Sequence, residues 1–239
     1  VLRWGVDGDQ PIASDYDGDG KADAAIFRPT SGNAPDFYIL NSSDYSFDRF
    51  SWGEPGDVPV VGDYDGDGKA DAALFRPSNS TWYIRKSTGS YTITTFGVSG
   101  DIPVQGDYDG DGRTDIAIYR SGQWWIANSG GGLTLSSWGE ATDKPVPADY
   151  DGDNKDDIAV FRPSNGFWYI RRSSTGQFDT ISWGQNGDIP IPGDYDGDGK
   201  DDPSVYRNGT WYLNRSSAGF AVSVWGVSTD VPVPSEYLP

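Results

Sequence analysis

The chain of 239 residues contains no His, no Cys and no Met, and its 36 acidic side chains include only three Glu, at 54, 140 and 236. Without His or Cys there is no imidazole general base, no Ser-His-Asp relay, no thiolate nucleophile and no zinc site built from nitrogen and sulfur donors. Any chemistry must use oxygen. Basic residues are also scarce: 18 Lys and Arg leave a formal charge of −18 and a pI near 4.1. That balance argues against nucleic acid and against anionic membrane surfaces, since both reward neutralising cations. No apolar run approaches the ~18 residues of a membrane span and no basic-then-apolar leader opens the sequence, so membrane insertion is not expected. The chain starts at Val1 and reads as a processed or trimmed product. The lack of Cys leaves the compartment open, because many secreted proteins fold without disulfides.

What is present is aromatic and periodic. Ten Trp, 14 Tyr and 10 Phe spread along the chain, with 36% hydrophobic residues, are enough for a core and unlike a disordered acidic segment. One block recurs five times, anchored on Asp-Tyr-Asp-Gly-Asp at Asp15, Asp63, Asp107, Asp149 and Asp194. Upstream lies an Asp-x-Pro step, at Asp57, Asp101, Asp143 and Asp188. Downstream come an alternating apolar segment such as Ala73-Leu74-Phe75-Arg76, an aromatic pair (Phe37-Tyr38, Trp82-Tyr83, Trp124-Trp125, Trp168-Tyr169, Trp211-Tyr212) and a closing Trp-Gly or Phe-Gly. Short runs rich in Val, Ile, Tyr, Phe, Trp and Thr, punctuated by Gly, Pro, Asn and Ser, read as strands and tight turns. The second block predicts strands near 58–62, 72–76, 81–85 and 91–96. Four strands in about 45 residues, repeated, are the pattern of a propeller blade. The expected fold is therefore all-β, a five-bladed β-propeller of four-stranded antiparallel blades forming a single domain over 1–239. Leftover strands at 1–5 and 231–236 either supplement a closed ring or belong to a longer array. The ring is favoured, since an open stack exposes aromatic blade faces.

Each anchor opens an acidic loop, at 15–23, 63–71, 107–115, 149–157 and 194–202, with Asp at positions 1, 3, 5 and 9. These are Asp15, Asp17, Asp19 and Asp23; Asp63, Asp65, Asp67 and Asp71; Asp107, Asp109, Asp111 and Asp115; Asp149, Asp151, Asp153 and Asp157; and Asp194, Asp196, Asp198 and Asp202. Four carboxylates within nine residues repel one another unless a cation sits among them. Calcium suits such a loop, because it accepts 6 to 8 oxygens in irregular geometry. A backbone carbonyl is expected from position 7, which is Lys21, Lys69, Arg113, Lys155 and Lys200, residues whose side chains can extend into water. Position 6 must turn sharply, and it is Gly20, Gly68, Gly112 and Gly199, with Asn154 as a substitute that tolerates the left-handed region. Position 12 is apolar in every copy (Ile26, Leu74, Ile118, Val160, Val205), which excludes an EF-hand. Asp-rich turns without metal are the alternative, but five copies of one four-carboxylate spacing exceed what turn propensity explains.

The motif Asp-x-Asp-x-Asp-Gly-x-x-Asp, complete in four copies and altered only at Asn154, resembles FG-GAP-like (VCBS-type) repeats, related to the calcium-binding blades of the integrin α-subunit propeller. Phe96-Gly97 is the Phe-Gly of that family, with Trp-Gly in its place elsewhere. The resemblance implies about five Ca²⁺ ions, one per repeat, held by the Asp at positions 1, 3, 5 and 9 and the carbonyl at 7 of a loop joining the first two strands. It implies no particular partner.

Other residues recur. Arg28, Arg76, Arg120, Arg162 and Arg207 each follow an anchor by 13 positions and read better as structural forks onto a carboxylate than as binders of acidic sugars. The aromatic pairs and Trp4, Trp52, Trp138, Trp183 and Trp225 read chiefly as packing between blades, with sugar stacking as the alternative. Tyr16, Tyr64, Tyr108, Tyr150 and Tyr195 are expected to brace the loops from outside. The functional expectation is a non-catalytic, calcium-stabilised binding or adhesion module, secreted or at the cell surface, an appendage of a larger secreted protein being one form of it. Its partner would be an extracellular protein or a glycan. A lectin with sugar sites between blades is the alternative. A glycosidase or polysaccharide lyase is less favoured, because the carboxylates outside the loops (Asp36, Asp44, Asp179, Glu54, Glu140) designate no acid–base pair. The insertion at 33–36 and the run Gly130-Gly131-Gly132 mark the first and third blades as the places for an asymmetric partner.

Overall fold

The computed structural model describes residues 4–29 and 36–233. Twenty strands form five sheets, each a four-stranded antiparallel meander in chain order, and no helix occurs among the described residues. These are the blades of an all-β propeller, spanning 10–50, 58–95, 102–137, 144–182 and 189–224. In the second blade the strands are Val58–Pro59, Ala72–Arg76, Thr81–Arg85 and Tyr91–Thr95, close to the spans the alternation predicts. The first strand is shorter than expected: Pro59 has no N–H for a ladder, and beyond it the pairing continues only through Val60 N to Ala73 O at 2.9 Å and the isolated Gly62–Asp71 bridge.

Burial explains the sequence pattern within each blade. The second strand, Ala72 to Arg76, lies in mid-sheet with both faces covered, so it is apolar almost throughout. In the third strand Trp82 is enclosed while Tyr83 turns to the other face, as the two-residue period requires. The fourth strand is the sheet edge and is largely exposed.

The chain divides into two compact units, Val1–Gln105 with Gly112–Thr114, and Gly106–Asp111 with Asp115–Pro239. The first has a core of Ile12, Phe27, Phe37, Ile39, Ala72 and Leu74, bordered by Tyr16 and Trp52. The second has Val146, Phe161, Trp168, Ile170 and Val205, bordered by Tyr150, Trp183 and Tyr212. Within each unit, blades are tied by an indole: Trp52 Nε1 donates to Tyr83 O at 3.3 Å, Trp138 Nε1 to Tyr169 O at 2.9 Å and Trp183 Nε1 to Tyr212 O at 3.1 Å. The terminal strands expected at 1–5 and 231–236 are not seen at 4–5 or 231–233, and 1–3 and 234–239 lie outside the described residues, as do 33–35 of the insertion.

Candidate metal centres

Each acidic loop is wound by its own first carboxylate. Asp63 accepts from Gly66 N at 2.7 Å and Gly68 N at 2.8 Å, and Asp149 accepts from Gly152 N at 2.6 Å and Asn154 N at 2.7 Å. Closing that turn demands a left-handed residue at position 6. Asn154 adopts φ 64°, beside 82° for Gly68, so the one substitution keeps the conformation. Position 9 is the anchor. Asp71, Asp115, Asp157 and Asp202 are fully buried. One oxygen of each accepts the N–H of the loop tyrosine (Tyr64, Tyr108, Tyr150, Tyr195), and the other accepts a serine N–H from the turn between the third and fourth strands (Ser87, Ser129, Ser173, Ser216).

Five Asp triads result, one per blade, each with carboxylate oxygens within 4.8 Å of one another. In the second to fifth blades they are Asp63, Asp65 and Asp71; Asp107, Asp109 and Asp115; Asp149, Asp151 and Asp157; and Asp194, Asp196 and Asp202. In the first blade Asp15 and Asp17 converge with Asp19, at position 5, and Asp23 is not in the triad. At position 5 in the other blades, Asp67, Asp153 and Asp198 stand outside the triad and accept the N–H of Lys69, Lys155 and Lys200 at 3.0 Å.

The triads hold more negative charge than their donors satisfy. Asp65, Asp151 and Asp196 each have a buried Oδ1 with no hydrogen-bond partner. Burial, and then the neighbouring carboxylates, push Asp71 and Asp157 up to about 6, and burial raises Asp23, Asp115 and Asp202 as well. A buried, unpaired carboxylate oxygen facing two further carboxylates is costly until a cation meets it. An all-oxygen donor set of this kind fits a hard divalent ion.

Three features were not read from the sequence. The first is a hydroxyl pair in the turn between the third and fourth strands: Ser42-Ser43, Ser87-Thr88, Ser173-Ser174 and Ser216-Ser217, with Ser129-Gly130 as the exception. The first hydroxyl donates to position 5 and the second to position 3, as Ser216 does to Asp198 at 2.7 Å and Thr88 to Asp65 at 2.7 Å. The pair follows each anchor by 22 to 27 residues, a variable spacing that hides it. The second is the link between loops. The position-8 N–H of one loop donates to the position-1 carbonyl of the loop before it: Ala70 to Asp15, Thr114 to Asp63, Asp156 to Asp107 and Asp201 to Asp149, at 2.6 to 2.7 Å. The third concerns position 7, where Lys21 and Arg113 are exposed as expected, while Lys69, Arg113, Lys155 and Lys200 also lie along the preceding loop. Lys155 donates to Asp109 O at 2.7 Å and runs so close to Gly110 that a Cβ there would meet its Cε at 2.7 Å. Glycine at position 4 answers both this close approach and a left-handed backbone, φ 76° at Gly110.

Tyr16, Tyr64, Tyr150 and Tyr195 brace the loops from the core side, each bonding a carbonyl that precedes its loop. Tyr64 is buried and donates to Val60 O at 2.6 Å, and Tyr16, Tyr150 and Tyr195 likewise bond the carbonyl four residues back. The recurring arginines are structural forks: Arg28, Arg76, Arg162 and Arg207 grip Asp9, Asp57, Asp143 and Asp188 with two bonds each, and each stacks on a tyrosine. Arg120 stacks on Trp125. The gripped aspartates are those of the Asp-x-Pro steps, including Asp9 of the first blade. The carboxylates outside the loops are engaged too: Glu54 with Arg76, Glu140 with Arg162, Asp179 with Arg172, Asp36 with Trp52 N and Asp44 with Ser46 N.

Residues 63–118 match the family model of the FG-GAP-like repeat, and the loop they contain recurs in all five blades. That stretch is similar to an FG-GAP-like repeat. No curated protein matches it. Among solved structures, an Agrocybe aegerita lectin that recognises non-reducing terminal N-acetylglucosamine is 18% identical, with a TM-score of 0.58 over 90% of this chain and 65% of the lectin. The chain thus spans slightly less than two thirds of that protein. A streptogramin B lyase is 13% identical, with a TM-score of 0.58 over 94% of this chain and 70% of the lyase. A catalytically inactive virginiamycin B lyase from Staphylococcus aureus, bound to quinupristin, is 10% identical, with a TM-score of 0.60 over 98% and 74%. At these identities the likeness is one of fold.

Proposed function

We propose that this chain is a non-catalytic, extracellular binding or adhesion module whose propeller blades are each held by one Ca²⁺. The observation that carries the reading is the set of buried, unpartnered carboxylate oxygens on Asp65, Asp151 and Asp196, inside triads built only from oxygen donors. Calcium accommodates such irregular, carboxylate-rich loops, whereas Mg²⁺ prefers near-ideal octahedral geometry with retained waters. The ligands we assign are the Asp of positions 1, 3, 5 and 9, together with the position-7 carbonyl of each loop. In the second to fifth blades the position-5 carboxylate must then turn inward on loading. Millimolar external calcium suits sites of ~10⁻⁴ to 10⁻³ M affinity, and this favours work outside the cell.

The non-catalytic reading is supported by the engagement of the five loop-external carboxylates described above, which leaves none of those five poised as a glycosidase acid. The partner is an extracellular protein or a glycan. Sugar stacking on the central aromatics is disfavoured, because Trp82, Trp124 and Trp168 are enclosed, so a glycan would be held by rim loops. Native mass spectrometry of calcium-loaded protein tests the reading: five bound ions, removed by chelator, are expected. Absence of specific calcium uptake overturns it, and turnover of a polysaccharide would overturn its non-catalytic part.

A further inference from the structure

We infer that the hydroxyl pair between the third and fourth strands is the positioning shell of each metal centre, and that Gly130, which removes one hydroxyl, makes the third-blade centre the weakest calcium binder of the five. This rests on the calcium reading above. The geometry is common to four blades. At position 3, one carboxylate oxygen is held by the second hydroxyl of the pair: Ser43 on Asp17 at 2.5 Å, Thr88 on Asp65 at 2.7 Å, Ser174 on Asp151 at 2.5 Å and Ser217 on Asp196 at 2.9 Å. In three of these carboxylates the opposite oxygen is the buried one that has no partner. The hydroxyl therefore pins the carboxylate with its unsatisfied oxygen inward, and the rotamer is set before an ion arrives.

The third blade keeps the first half of this arrangement and lacks the second. Ser129 donates its N–H to Asp115 at 2.6 Å and its hydroxyl to Asp111 at 2.7 Å. Gly130 then stands where the second hydroxyl would be. Asp109 receives no hydroxyl among the described residues; its Oδ1 accepts the N–H of Asp111 at 3.2 Å, as Asp17 Oδ1 accepts that of Asp19 at 3.1 Å in the first blade, where Ser43 still holds the other oxygen. Without that second hydroxyl, more of the ordering of the Asp109 side chain falls to ion binding. The site is otherwise ready for a hydroxyl. A Cβ on Gly130 would lie 3.5 Å from Asp111 Oδ2 and 3.7 Å from Asp109 Oδ2, ordinary contacts beside both carboxylates. Gly130 is not among the positive-φ glycines, so a serine enters without backbone strain.

A calcium titration of ¹⁵N-labelled whole chain, following the position-6 glycine amides, resolves the centres individually. Gly112 is expected to report binding roughly three- to tenfold weaker than Gly68 and Gly199, the scale of one side chain immobilised on binding. Gly130→Ser should bring Gly112 into line while leaving Gly68 and Gly199 unmoved. The converse variant, Thr88→Ala, should weaken the Gly68 response by a similar factor. Equal affinity at Gly112, or no gain in Gly130→Ser, overturns the inference. Loops whose amides ignore calcium altogether overturn instead the metal reading beneath it.

Discussion

A carboxylate oxygen buried without a donor destabilises a fold through lost hydration, and the same oxygen stabilises it once a cation is bound. Asp151 shows both sides, since its Oδ2 holds Ser174 while its Oδ1 has no partner. Asp151→Asn is expected to lose one bound calcium and lower Tm in excess calcium, yet to leave Tm unchanged or higher in chelator; calorimetry in both buffers checks this. Asp71, Asp157 and Asp156 set the pH dependence. Burial raises the first two to about 6 and Asp156 to about 7, above the ordinary Asp value, so between about pH 4 and 7 the metal-free folded chain binds more protons than the unfolded one. Stability of the metal-free protein should therefore fall as pH rises through that window. With calcium bound the sign reverses, because the ion requires the ionised forms and its affinity declines on acidification. Thermal melts of ion-stripped and calcium-saturated protein from pH 4.5 to 7.5 should slope in opposite directions.

Two elements give each blade its frame, and both were half visible in the sequence. The Asp-x-Pro aspartate closes a turn, as Asp143 does by accepting Glu140 N at 2.9 Å, and receives the fork of the arginine 19 residues later. Asp143 is buried, so Arg162→Ala strands a carboxylate as well as removing the stack on Tyr169. A loss of about 2–3 kcal/mol is expected in denaturant unfolding, and Arg162→Lys should recover only part of it, because an ammonium cannot fork. The interblade indole bond is smaller. Trp183→Phe removes the donor to Tyr212 O and part of the ring packed on Phe220 and should cost about 1–2 kcal/mol, with the natural Phe96 at the same place in the second blade.

Across each compact unit the loops act in series. Ala70 and Thr114 carry the chain of backbone bonds from loop to loop in the first unit, and Asp156 and Asp201 carry it in the second. Each bond ends on the carbonyl of a position-1 Asp, so an ion that orders one loop also fixes the acceptor of the next. Five ions would bring the formal charge from −18 to −8 and relieve the repulsion among the triads. Because an ion bound only to the folded state stabilises by about 2.7 kcal/mol per site at a hundredfold excess over Kd, chelation should lower Tm by more than about 10 °C. Unchanged melting in chelator would count against bound calcium.

Blade number, strand periods and the acidic positions were legible because they are local: alternation, turn residues and carboxylate spacing are decided within a few residues of one another. The left-handed turn at Asn154 was legible for the same reason. Contacts between segments distant in the chain were not. Nothing local pairs Asp143 with Arg162, seats Ser174 over Asp151, or lays Lys155 across Gly110, since each depends on where the following strand or loop packs. The sequence by itself determined a repeated β-meander with carboxylates dense enough to call for a cation. Only tertiary packing decided which three oxygens converge: in the second to fifth blades position 9, buried by its own blade, joins the triad and position 5 does not, whereas in the first blade Asp19 at position 5 joins it and the buried Asp23 does not.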